Sequence, residues 1–204
     1  FDDRSLEKRV SISYVITIPA GTETVASSGS GSISVVDIAA PVEVSAGSGS
    51  IRLENIGGAV EASTGSGSIR ADGVAGAFDA STGSGKITMS QTAPGDVKVS
   101  TGSGGSELTN VVGAVRANTG SGRITVEGRM EGDWEIDSGS GGVRITLPED
   151  AAFDLDAESS SGGIDIDHPL TVQGRISKRR ITGNVRGGGP LLKIDTGSGG
   201  VRVN

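Results

Sequence analysis

The chain contains no cysteine. Disulfide staples, thiolate catalysis and cysteine-based metal sites are therefore excluded, and composition carries no mark of the redox compartment. There is one histidine, His168, set before Pro169 in a turn, so no serine has a histidine partner for triad chemistry. Aromatic residues are nearly as scarce: three Phe, one Trp and one Tyr. A core with so few rings must be thin and filled by small or β-branched side chains. No apolar run approaches the roughly 18–20 residues that a helix needs to cross a bilayer. Basic residues are outnumbered 18 to 25, for a net charge of -7. That balance favours solubility and argues against nucleic acid or an anionic membrane surface as partner.

What the chain has in excess is glycine, 35 of 204 residues. Glycine and serine at this level usually read as disorder. Here the apolar residues keep phase with the glycines, which a disordered linker has no reason to do. The stretch Thr64-Gly65-Ser66-Gly67-Ser68-Ile69-Arg70 recurs as near-copies beginning at Ser28, Ala46, Thr82, Thr101, Thr119, Ser138 and Thr196. A degraded copy, Ser159-Ser160-Ser161-Gly162-Gly163-Ile164, lies between the last two. The first glycines fall at 29, 47, 65, 83, 102, 120 and 139, then at 197. Such fixed-period self-similarity marks a stacked repeat protein.

Each unit holds two short alternating runs, such as Ser50–Glu54 and Ala59–Thr64, separated by Asn55-Ile56-Gly57-Gly58 and by Gly65-Ser66-Gly67. Period-two alternation with glycine punctuation means strand, turn, strand, turn, and the glycine content forbids a helix. One inward column runs Ile33, Ile51, Ile69, Ile87, Ile124, Val143, Ile164 and Val201, with Ser106 as the exception. On the opposite face Val42, Val60, Phe78, Val97, Val115, Trp134, Phe153 and Leu192 line up, and Val44, Ala62, Ala80, Val99, Ala117, Ile136, Leu155 and Ile194 follow two residues later. The predicted fold is all-β: a single-stranded parallel β-helix, or β-solenoid, of right-handed sense, with roughly 18-residue coils and two main strands per coil. Coils spaced about 4.8 Å apart would build a rod on the order of 45–50 Å long. The glycines are expected to supply glycine-only dihedrals at the reversals, and the serines between them to bond neighbouring backbone.

The chain reads as one continuous domain over 1–204. Residues 1–27 would cap the first coil, with a strand over Val10–Ile18 ended by Pro19-Ala20-Gly21. Residues 28–169 carry the repeats. Residues 170–204 form an irregular or hairpin segment and a final coil, whose open edge is abutted by a partner or masked by residues 170–190. A signal peptide or anchor is expected to have preceded Phe1.

The serial Thr-Gly-Ser-Gly-(Ser/Gly/Lys/Arg)-(Ile/Val) units resemble a bacterial family of adhesin-designated β-strand-repeat domains of unknown function. That family is related in architecture to the head GIN domain of autotransporter adhesins. The terminal run Gly174-Arg175-Ile176-Ser177 through Gly187-Gly188-Gly189-Pro190-Leu191-Leu192, then Thr196-Gly197-Ser198-Gly199-Gly200-Val201, is similar to the way its members end. The resemblance implies a parallel β-helix, export in bacteria, an envelope or surface role, and no catalytic residues.

Candidate sites are few. A calcium-binding nonapeptide roll needs an acid in each turn, but Arg52 and Arg70 stand in its place. The outward column Glu43, Glu61 and Asp79 is the one metal candidate, for Ca²⁺, although no cofactor is expected; it continues as Lys98, Arg116, Glu135, Asp154 and Lys193. Arg175, Lys178, Arg179 and Arg180, with Arg186, form a basic cluster able to meet an anionic polysaccharide or phospholipid head group. Asp154, Asp156, Glu158, Asp165, Asp167 and His168 form an acidic neighbourhood of the kind glycoside chemistry uses, without the exposed rings that would hold a sugar. The resulting expectation is a non-catalytic envelope or surface module, exported to the periplasm, outer membrane or cell exterior. Its partner would be a surface glycan or envelope protein, not nucleic acid, with self-association through the terminal coils; the alternative is a carbohydrate-active β-helix enzyme, a hydrolase or lyase.

Overall fold

A computed structural model describes residues 12–172, 177 and 179–204. The first coil joins β1 (Thr24–Ser28) to β2 (Ile33–Ile38). Next come β3 (Val42–Ala46) with β4 (Ile51–Ile56), β5 (Val60–Thr64) with β6 (Ile69–Ala75), and β7 (Phe78–Thr82) with β8 (Ile87–Ala93). After β9 (Val97–Thr101), the strands β10 (Ser106–Thr119) and β11 (Ile124–Ser138) run from one face through the corner onto the other, and β12 (Val143–Thr146) follows. The remaining strands are β13 (Phe153–Ser159), β14 (Ile164–Ile166), β15 (Leu170–Val172), β16 (Arg180–Val185), β17 (Leu191–Thr196) and β18 (Val201–Val203). Among the described residues there is no helix. The fold is a parallel β-solenoid of about seven turns with coils of roughly 18 residues.

The predicted columns are present. Ile33 pairs with Ile51, Ile51 with Ile69 and Ile69 with Ile87; Val42, Val60, Phe78 and Val97 do likewise on the other face. These side chains, with Trp134 and Phe153, make one continuous core. Trp134 is fully buried and donates its indole N–H to Gly113 O at 2.9 Å. Ser106 takes its place in the isoleucine column with its hydroxyl unpartnered.

A third inward column runs through the stretch that the repeat spacing predicts as a turn. Strand β4 extends to Ile56, which is fully buried, paired to Ile38 on one side and to Val74 on the other. Gln91 takes the next place, satisfied by Gly76 O, Gly95 O and Val112 N. The corner beside this column is turned by left-handed residues, Asp37 (φ 58°), Asn55 (φ 53°), Gly73 (φ 78°) and Asn110 (φ 56°). Asn and Asp tolerate that region through local hydrogen bonding, and Asn55 also donates to Asp37 Oδ1 at 2.9 Å across coils.

The repeat glycines serve a different purpose from the one expected. None of them lies in the left-handed region. A Cβ on Gly65 would stand 2.5 Å from the carbonyl oxygen of Gly47, and one on Gly67 would sit closer still to that of Gly49. The coils stack so that each turn lies on the previous turn's carbonyls, and only hydrogen fits between. The hydroxyl that matters is also not the serine between the glycines but the Thr or Ser before them. Thr82 Oγ1 accepts the N–H of Gly85 (3.1 Å) and donates to Gly67 O of the preceding coil (2.8 Å). Thr64, Thr101, Thr119, Ser138, Thr196 and Ser159 repeat this bridge.

Coil order in space departs from sequence order. The C-terminal coil is inserted: β17 and β18 pair with β11 and β12 on one side and with β13 and β14 on the other, all parallel. The intact motif thereby contacts a turn on both sides, and the degraded copy at Ser159–Ile164 is left at the end of the stack. Its register also differs from expectation. Leu155 and Ala157, not Phe153 and Leu155, stand beside Leu192 and Ile194. Phe153 is a two-residue extension, packed edge-on to the buried His168 ring at 5.6 Å. The final coil, paired on both sides, has no open edge for residues 170–190 to mask; instead β16 lies antiparallel on β13, and β15 on β16.

At the other end the expected capping strand is missing over its described part. Residues 12–18 form no strand, and Ile12, Tyr14, Val15 and Ile16 are exposed; Val10 and Ser11 lie outside the described residues. Ile12, Tyr14, Ile16 and Ile18 share one period-two phase, but of these only Ile18 is partly buried against the core. The turn at Pro19–Thr22 is present, with Thr22 N donating to Pro19 O.

The stacking geometry gives a sharp contrast. Gly67→Ala should lower stability in urea denaturation by roughly 3 kcal/mol or more, since the backbone of the preceding turn at Gly49–Ser50 must move. Gly29→Ala, at a first-coil turn with nothing within 4 Å, should change it by less than about 1 kcal/mol.

Candidate functional site

The stacking fixes which outward side chains become neighbours. On the face of β1, β3, β5, β7 and β9, the outward column runs Val25, Glu43, Glu61, Asp79, Lys98, Arg116, Glu135, Lys193 and Asp156. Asp156 replaces the expected Asp154, because the register of β13 is shifted by two. A shallow groove of about 870 Å³ follows this column from Glu23 to Lys193, floored by small residues such as Ala59, Ala77 and Ala114.

The charges are partly self-neutralised. Lys98 Nζ meets Asp79 Oδ2 at 2.7 Å, Arg116 pairs with Glu135, and Lys193 reaches Glu135 at 3.4 Å and Asp195 at 3.6 Å. Hydrogen bonding to Arg116, then its charge and the Lys193 ammonium, hold the Glu135 carboxyl below its ordinary range. The bond to Glu135, with the nearby Asp195, keeps Lys193 firmly protonated. Glu43 and Glu61 have no ion-pair partner among the described residues.

The metal candidate is thus in register, Glu43 beside Glu61 beside Asp79. Asp79, however, spends its charge on Lys98, and no group of three His, Cys, Asp or Glu among the described residues is arranged to hold a metal ion. The basic cluster divides. Arg175 and Lys178 lie outside the described residues. Arg179 is exposed, and Arg180 is bound to Asp156 (3.3 Å) and Glu158 (3.2 Å). Arg186 donates to Glu149 O. The acidic neighbourhood is dispersed as well. Asp156 and Glu158 answer Arg180 on one face, Asp165 answers Arg202 on the other, and His168 is buried against Phe153. These carboxylates do not converge on a common cleft, which paired acid–base chemistry requires.

A second outward column went unread in the sequence: Ser27, Ser45, Ser63, Ser81, Ser100 and Asn118, continuing as Asp137, Asp195 and Glu158. Its signal was present in the first six residues, which share one place in the repeat. The acidic end depends on the inserted coil and could not be read from sequence order. Burial pushes the Asp137 carboxyl up, and the Glu135 and Asp195 charges push it further.

A carboxyl with a raised folded-state pKa binds its proton more tightly folded than unfolded, so stability falls as pH rises through the window between the two values. Asp137→Asn should therefore raise the melting temperature at pH 7, and the gain should vanish at pH 3, where the unfolded chain is also protonated.

The Toastrack DUF4097 family model matches residues 9–204, and the chain belongs to that family, a domain of unknown function. Comparison with curated proteins and with solved structures gives no match.

Proposed function

We propose that this Toastrack chain is a non-catalytic binding or scaffold module of the bacterial envelope, exported to the periplasm, outer membrane or cell surface. The observation that carries the reading is the ordered outward column of the groove face. There, charge is displayed at intervals of about 4.8 Å along a stiff rod in place of converging on one reactive point. Such a face suits an extended, repeating partner, a surface glycan or an envelope protein, touched at many levels. Surface adhesion, implied by the resemblance to the head GIN domain of autotransporter adhesins, is part of this proposal, as is self-association through the terminal coils. Asp156 and Glu158 are both held by Arg180, while Asp165 is held by Arg202 on the opposite face, and this division speaks against the glycan-active alternative.

The test is retention of the purified chain on isolated bacterial envelopes across a salt gradient, together with incubation on a polysaccharide panel. Saturable retention, weakened about fivefold or more by the double substitution Lys98→Ser and Arg116→Ser, with no new reducing ends, is expected. Release of reducing ends or unsaturated products, abolished by Asp156→Asn or Glu158→Gln, would replace the binding reading with an enzymatic one.

A further inference from the structure

The opposite face holds a feature that the repeat does not require. Where its strands begin, one backbone position per coil forms a continuous rung: Ser50, Ser68, Lys86, Gly105, Arg123, Gly142, Gly200 and Gly163. Ile51 N donates to Ser68 O, Ile69 N to Lys86 O, Ile124 N to Gly142 O, Val143 N to Gly200 O and Val201 N to Gly163 O. Serine, lysine and arginine are accommodated at this place, so the turn does not demand glycine. A Cβ on Gly163 would meet nothing within 4 Å, and Cβ atoms on Gly200 and Gly142 would meet single carbonyl oxygens at 3.5 and 3.3 Å. None of the three has a left-handed φ. Gly163 and Gly200 thus have no packing reason to be glycine, Gly142 only a slight one, and the three line a hollow of about 530 Å³.

Arginines surround it. Arg123 comes from the rung itself, and Arg144 and Arg202 come from the outward column two residues on, as direct partners in the parallel ladder. Like charges side by side in register are unfavourable unless something neutralises them. Asp165 of the outermost coil lines the same hollow and holds Arg202 through Nε (3.2 Å) and Nη2 (3.0 Å). Arg123 and Arg144 have no carboxylate within ion-pair distance among the described residues. Elsewhere on this face Arg52, Arg70 and Lys86 are paired with Glu54, Asp72 and Glu107. Two uncommitted guanidinium groups thus stand beside a glycine-lined hollow in a chain of net charge -7.

We propose that the hollow binds a tetrahedral oxyanion, a sulfate or phosphate group on a soluble acidic glycan, with Arg123 and Arg144 as its partners. The planar guanidinium fork suits such oxygens, and glycine lets the anion approach closely. An anionic bilayer fits less well, because it sets a whole plane of negative charge against the acidic molecule, whereas a sulfate or phosphate on a glycan brings its charge to the hollow alone. The site is on the face opposite the charged groove, so its failure and the failure of the envelope-binding reading are distinguishable.

The repeat itself supplies conservative probes. Thr88 and Thr125 occupy the column of Arg144, and serine occupies the rung of Arg123 and Gly163 in earlier coils. Amide chemical shifts would be followed while inorganic sulfate or phosphate is titrated at low ionic strength, with chloride at matched ionic strength as control. Saturable shifts at Gly142, Gly163 and Gly200 are expected. Arg144→Thr, Arg123→Ser and the hollow-filling Gly163→Ser should each weaken them about tenfold. Asp165→Asn, which releases Arg202, should tighten binding about threefold, and Arg52→Thr should leave it unchanged. A heparin or dextran sulfate column should show the same order of retention. Shifts no larger than those from chloride, or saturable binding indifferent to Arg144→Thr and Gly163→Ser, would overturn the proposal. So would retention on phosphatidic acid vesicles without any saturable anion binding in solution.

Discussion

The contact on which the whole structure rests is a glycine Cα laid against the carbonyl oxygen of the preceding turn. At Gly65 over Gly47, and at each later Gly-Ser-Gly reversal, there is room for a hydrogen and nothing more. The threonine or serine before these later pairs clamps the same turn, accepting a backbone N–H of its own coil and donating to a glycine carbonyl of the coil beneath. A buried backbone group left unpaired costs about 1–3 kcal/mol, so each bridge removes two such costs at the tightest point of the coil. With the turns locked together, strands between them have one available register. That is why thin columns of valine, isoleucine and alanine suffice for a core with few rings.

The same constraint explains the coil order. A full Thr-Gly-Ser-Gly turn is built to be covered on both sides. The C-terminal copy obtains this by entering between β12 and the degraded copy: Thr196 reaches back to Gly141 O, and Ser159 reaches back to Gly199 O. The outermost level is then closed on one face by the antiparallel β16, which ends the parallel stack without leaving the β13 edge open.

Much of this was legible in the sequence. The period, the all-β class, the inward columns through Trp134 and the outward acid column at Glu43, Glu61 and Asp79 all follow from spacing, because each is a local property of one repeat. What could not be read depends on contacts between repeats. The glycines at 65 and 67 look alike whether they turn the chain or admit a neighbour, and only the stacked turns separate the two. Ile56 was hidden by the glycines after it, and Phe153 by its position one period-two step from the true column. The acidic triplet Asp137, Asp195 and Glu158 joins residues from coils that are not successive, so no reading in chain order assembles it. The Arg123–Arg144–Arg202 hollow has the same origin.

The two faces therefore owe their character to the inserted coil, one gaining clustered carboxylates and the other clustered arginines. Its position can be measured directly, since the chain has no native cysteine. Laterally paired residues one level apart lie about 4.8 Å apart, within the range a disulfide spans, while residues two levels apart lie near 9–10 Å, beyond it. Under mild oxidation the pair Glu135→Cys with Lys193→Cys, and the pair Lys193→Cys with Asp156→Cys, should cross-link in the folded protein, whereas Glu135→Cys with Asp156→Cys should not. Efficient cross-linking of that last pair, with none through position 193, would mean that the coils stack in sequence order and would contradict the account.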